Sequence, residues 1–131
     1  MQPAVGPLIG LRILVIADAF ESVESVIDVL RSAEAIVVAV PTAAVGRTYA
    51  EQHAVDVVLV DSRKSSWWLT PEIRAVRSLS RAPSYALTEP GETLGPTADV
   101  DGYFPKSVPI DALLVTLGAL PRRSHLRIPP A

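Results

Sequence analysis

The sequence predicts an α/β fold, with a parallel sheet carrying helices on both faces. Three observations predict it. Short aliphatic and β-branched runs recur that are apolar at every position rather than every second one, the pattern of strands buried on both sides. Between them stand segments whose apolar residues fall at helical spacing. The two kinds alternate five times between Arg12 and Leu120, and strand–helix alternation calls for parallel strands joined by right-handed crossovers.

The first strand is Ile13-Leu14-Val15-Ile16, ended by Asp18. A helix follows, with Val23, Val26, Ile27 and Leu30 at i, i+3, i+4 and i+7. Ser22 is available as its cap, and Glu24 puts a carboxylate in the first turn, where the helix dipole favours it. Ala35 to Val40 repeats the buried-strand pattern and Pro41 stops it. Thr42 then opens a helical segment in which Val45 and Tyr49 share a face. Val55-Asp56-Val57-Val58-Leu59-Val60 is the strongest strand and ends on Asp61.

A loop from Ser62 to Leu69 carries Arg63, Lys64, Trp67 and Trp68, before Thr70-Pro71 opens a helix with an Ile73, Val76, Leu79 stripe. Tyr85-Ala86-Leu87 is a short strand ending at Thr88. Pro90, Gly91, Gly95 and Pro96 oppose a regular fourth helix, which is expected to be short or irregular. Gly102-Tyr103-Phe104 is the last strand, with Lys106 just beyond it. Pro109 then starts a helix with Ile110, Leu113, Leu114 and Leu117 on one face, and Pro121 ends it. Residues 1–11 read as an N-terminal extension, 12–120 as the domain and 121–131 as a flexible tail.

Composition bounds the function. The 131 residues suit one domain, and 49% apolar with 20% charged residues suits a substantial core rather than a disordered chain. A net charge of −2 gives no basic field for nucleic acid or an acidic membrane. With no cysteine there is no disulfide framework or thiolate metal site. His53 and His125 stand in no ligand pattern, so zinc is not expected. Residues 1–10 make a poor signal peptide and no run reaches a membrane span; a cytoplasmic, soluble chain is the expectation.

Arranged in the flavodoxin-like strand order 2-1-3-4-5, a (βα)5 three-layer sandwich, strands 1 and 3 are neighbours where the winding reverses, and ligands bind beyond their carboxyl ends. Asp18 and Asp61 meet there. Two close carboxylates repel unless a cation lies between them, and an all-oxygen site suits Mg²⁺. A carboxylate oxygen of Asp61 can then attack phosphorus to give an aspartyl phosphate. Its charge calls for donors, which Thr88, Lys106 and the backbone N–H groups after Asp61 can supply.

These residues resemble the receiver domains of two-component response regulators. Arg12 to Asp18 is similar to that family's first strand and acidic corner, and Val55 to Asp61 to its phosphoacceptor strand. Thr88, Lys106 and Tyr103 fall at its hydroxyl, lysine and switch-aromatic positions. The resemblance implies a signalling domain rather than an enzyme: phosphoryl transfer to Asp61 from a histidine kinase or phosphotransfer protein. Asp18, Asp61 and the backbone carbonyl of Arg63 would hold Mg²⁺, and Thr88 and Tyr103 would change a partner surface. A homodimer is compatible with it.

The chain also departs from that pattern. Ala17 replaces the first of the usual two acids, a loss expected to weaken Mg²⁺ about tenfold. The loop after Asp61 has Ser65, Ser66, Trp67 and Trp68 where a proline and glycine are usual, and Ser107 follows Lys106 in place of proline. The alternative is therefore a degenerate receiver-like module that docks or dimerises without phosphorylation. A small-molecule binder on the same fold is a third reading, without a Gly-rich phosphate fingerprint to support it.

Overall fold

A computed structural model describes residues 7–17, 21, 23–61, 81–88, 101–105 and 111–120. Its strands are β1 (Arg12–Ile16), β2 (Ile36–Val40), β3 (Val57–Asp61), β4 (Ser84–Thr88) and β5 (Gly102–Pro105). They form one sheet in the order β2-β1-β3-β4-β5, every pair parallel. The helices among the described residues are α1 (Glu24–Ser32), α2 (Ala43–Gln52) and α3 (Asp111–Gly118). The strand order is the one expected. The helix expected after Pro71, the irregular fourth segment and the tail lie outside the described residues.

Alternation along the central strands builds two cores. Ile13, Val15, Val57, Leu59 and Leu87 face one way and pack with α1 and α3; Leu14, Ile16, Val58, Val60 and Ala86 face the other and pack with Ala43 of α2. Both faces of β1 and β3 are thus closed to water, which is why those strands read as unbroken apolar runs. Leu8 and Leu11, read from the sequence as part of an extension, are fully buried in the first core. Leu8 N–H donates to the Ala33 carbonyl at 3.0 Å and ties that segment to the end of α1.

Two helix details differ from the sequence reading. The N-cap of α1 is Val23, which offers no side-chain acceptor. It is fully buried, so packing decides where this helix begins. In α2 the Thr42 hydroxyl caps the helix, accepting from Val45 N–H at 3.1 Å. Val45, however, is exposed, and α2 meets the sheet through Ala43 and Gly46. A Cβ on Gly46 would stand 3.2 Å from Ile16 Cδ1, so the close approach of helix to strand selects the smallest residues rather than the most apolar.

The end of α1 is a Schellman turn. Ala35 N–H reaches the Leu30 carbonyl at 3.1 Å and Glu34 N–H the Arg31 carbonyl at 2.9 Å, with Glu34 left-handed at φ 73°. Glycine adopts that conformation without steric cost, and other residues do not. Glu34→Gly is expected to raise stability by up to about 1 kcal/mol, read as a higher denaturant midpoint at unchanged slope.

Candidate functional site

All five strands point their carboxyl ends to one edge of the sheet, and Asp61 and Thr88 stand there. Asp61 closes β3 and is 0% exposed; Thr88 closes the adjacent β4 and is 9% exposed. The two strands are in register, with Asp61 opposite Leu87. Thr88 is opposite Pro105 on β5, and its hydroxyl donates to the Phe104 carbonyl at 3.4 Å, a long contact that a better acceptor can replace. Tyr103 sits on β5 opposite Ala86. Asp18, Arg63 and Lys106 lie outside the described residues.

On β1 the register runs Ile16 with Val60, so the residue abreast of Asp61 is Ala17. It lies on the same side of the sheet as Val15 and is buried in that core. Its N–H donates to the Val40 carbonyl at 3.0 Å. The position that would hold a second carboxylate beside Asp61 is therefore filled by a methyl group. Glu21 is exposed. Among the described residues, no three His, Asp or Glu side chains converge to hold a metal ion; Asp61 supplies an oxygen donor of the kind Mg²⁺ takes.

Two other acids prove structural, at the opposite edge of the sheet. Asp56 Oδ2 accepts Arg12 N–H at 2.8 Å while Asp56 N–H donates to the Arg12 carbonyl at 2.9 Å. Asp101 makes the same pair of bonds with Ser84, at 2.8 and 2.6 Å. Each clips the start of its own strand to the start of the neighbouring one. Asp56 stands immediately before β3, where a short polar side chain can reach the neighbouring strand. The edge role of Asp101 was missed, although Val100-Asp101 precedes β5 as Val55-Asp56 precedes β3.

Asp101 also acts on Tyr85. The phenol ring lies edge-on to Phe104 with centroids 5.3 Å apart, over Gly102, where a Cβ would stand 3.2 Å from the ring. Burial first, and the Asp101 charge second, raise the Tyr85 pKa above its ordinary 10.0. The folded chain therefore holds this proton more tightly than the unfolded one. That contribution to stability is full below pH ~10 and is lost as pH rises through the folded-state value. Asp101→Asn keeps an acceptor for Ser84 N–H but removes the charge. It is expected to move the Tyr85 ionisation back toward its ordinary value, measured as the ultraviolet phenolate difference against Tyr85→Phe.

The fold is the one that response-regulator receiver domains have. In particular, the chain is similar to the receiver domain of a sensor histidine kinase from Pseudomonas aeruginosa PAO1, described with a magnesium ion coordinated in its active-site cleft. Identity is 26% and the TM-score 0.67, over 82% of this chain and 94% of that one. It is also similar to chemotaxis protein CheY4 of Vibrio cholerae, with 22% identity and TM-score 0.66 over 82% of this chain and 95% of that one. A chain from the R. sphaeroides complex of the CheA3 P1 domain with CheY6 matches at 18% identity and TM-score 0.68, over 86% of this chain and 97% of that one. No family model and no curated protein matches by sequence. Among the described residues, no helix is long and apolar enough to cross a membrane.

Proposed function

We propose that the chain is a receiver domain, spanning 12–120, that accepts a phosphoryl group on Asp61 in a two-component phosphorelay. The observation that carries this reading is the placement of Asp61 and Thr88 at the carboxyl ends of adjacent strands, beside the point where the winding of the sheet reverses. A carboxylate oxygen of Asp61 forms the new bond to phosphorus. The bond from phosphorus to the donor breaks, and the donor leaves with that electron pair. Thr88 turns its hydroxyl from the Phe104 carbonyl to a phosphoryl oxygen, which frees an acceptor on β5 next to Tyr103. Lys106 would neutralise charge, and Asp18 and the Arg63 carbonyl would join Asp61 in holding Mg²⁺, which when bound would offset the negative charge of the phosphoryl group.

The P. aeruginosa receiver described with magnesium supports the metal, and the complex with a CheA3 P1 domain supports a histidine kinase or phosphotransfer protein as donor. On this reading the chain is a cytoplasmic signalling domain, and it carries out no chemistry beyond its own phosphorylation and dephosphorylation. Asp61 is closed to bulk water, so uptake requires a path to its carboxylate to open. Intact mass after incubation with acetyl phosphate and Mg²⁺ tests the proposal. One added phosphoryl group is expected, and an unchanged mass at millimolar reagent overturns it.

A second reading is favoured by Ala17, whose buried methyl stands level with Asp61 in place of an acid. Here the chain is a degenerate receiver-like module that works by docking or dimerising without phosphorylation. An unchanged mass, with no effect of Mg²⁺ on tryptophan fluorescence, is the result that reading expects.

A further inference from the structure

At the β2 edge of the sheet, we propose, the protein pairs with a second copy of itself, strand against strand about a two-fold axis at Val38, with Arg31 as a guard that the pairing must displace. This goes beyond the phosphoryl site and does not depend on it. β2 hydrogen-bonds on one side to β1. Ile36 N–H donates inward to the Leu11 carbonyl and the Val40 carbonyl accepts from Ala17 N–H, so by alternation Val37 and Ala39 present their N–H and C=O groups outward. Arg31 Nη2 covers the Val37 carbonyl at 3.1 Å. Among the described residues, the N–H groups of Val37 and Ala39 and the Ala39 carbonyl have no partner.

Native edges are commonly protected by lysine, proline, a bulge or a covering element. Ile36–Val40 is Ile-Val-Val-Ala-Val, with none of the first three, and Ile36 is 45% exposed. The occupant follows from the spacing. In an antiparallel pair centred on Val38, Val37 lies opposite Ala39 of the second copy and exchanges both hydrogen bonds with it, and the symmetry repeats the exchange at Ala39. Four bonds form and no outward group of the strand is left over. The side-chain pairs are Val38 with Val38, Ile36 with Val40 and Val37 with Ala39, all apolar, so no like charges face each other. The net charge of −2 adds little repulsion between copies. To pair, each copy exchanges the Arg31 contact on Val37 for an N–H of Ala39.

Sedimentation velocity on the full chain without phosphodonor, from micromolar to sub-millimolar protein, tests this, with circular dichroism to verify folding of each variant. The wild type is expected to show a concentration-dependent dimer. Arg31→Ala should tighten it about tenfold, since two competing contacts disappear per dimer. Ala39→Pro removes the outward N–H without touching the ladder to β1, and should abolish the dimer. Ile36→Lys, at an exposed position, should weaken it, and covers the case in which the proline variant fails to fold. A monomer at all concentrations in both wild type and Arg31→Ala overturns the proposal. So does a dimer indifferent to Ile36→Lys, or one lost on Val115→Lys, which would place the contact on the exposed apolar side of α3.

Discussion

Asp61→Asn is expected to fold and to take up no phosphoryl group. Asparagine matches aspartate in volume and brings no charge into a position that is 0% exposed, so the packing at the end of β3 is preserved. What it loses is the anionic oxygen, and an amide oxygen is too weak a nucleophile to attack phosphorus in its place. Intact mass should show the adduct in the wild type and none in the variant, with matching far-ultraviolet spectra. Thr88→Ala separates the supporting donor from the nucleophile. It retains Asp61 but lacks a hydroxyl to offer the transferred group, and uptake should slow by about a hundredfold, comparable to the loss of one donor from an anion-stabilising site. Equal labelling of wild type and Asp61→Asn would move the phosphoacceptor elsewhere.

Leu59→Ala is expected to be the most destabilising of these substitutions. Leu59 is fully buried at the centre of β3, opposite Val15 on one side and Tyr85 on the other, within the core that α1 and α3 close. Truncation there forfeits the transfer energy of the lost atoms and leaves a cavity that a strand held on both sides cannot collapse to fill, about 3–5 kcal/mol. For a chain of this size that corresponds to a melting temperature lowered by about 10–20 °C. Ile36→Ala, at the half-exposed edge, should cost about 1 kcal/mol, because water already covers part of the side chain. Urea melts of the two variants check the ranking; equal midpoints would contradict the two-sided burial of β3. Leu59 lies two residues before Asp61 on the same face, so its loss should reduce phosphoryl uptake only at temperatures where the variant begins to unfold.

The architecture was legible because its strands announce themselves. A run such as Val57 to Val60 has no polar residue to place in water, so it must be covered on both faces, and alternation with helices makes such strands parallel. The same logic put Asp61 and Thr88 at one edge, since each is the first polar residue after a buried run. Thr42 was legible as the opening of a helix because it follows Pro41, which stops the second strand; its bond to Val45 N–H is a finding of the structure. Asp101 is marked only by the parallel of Val100-Asp101 with Val55-Asp56 ahead of a strand; that its partner is Ser84, on the neighbouring strand, is set by the packed sheet.

The sequence by itself determined the alternation of strand and helix, the burial of the central strands on both faces and the strand ends at which Asp61 and Thr88 stand, since these follow from periodicity and from short-range signals in the chain; the strand order was the one the fold class implies, and the sheet has it. Tertiary structure alone decided which face of α2 meets the sheet, that Leu8 and Leu11 belong to the core, that Ala17 rather than an acid stands level with Asp61, and that Arg31 covers the outward carbonyl of Val37. Each of these depends on distance between elements remote in sequence. Hydrophobic pattern states that a residue prefers to be buried; only the packed chain states against what, and how closely.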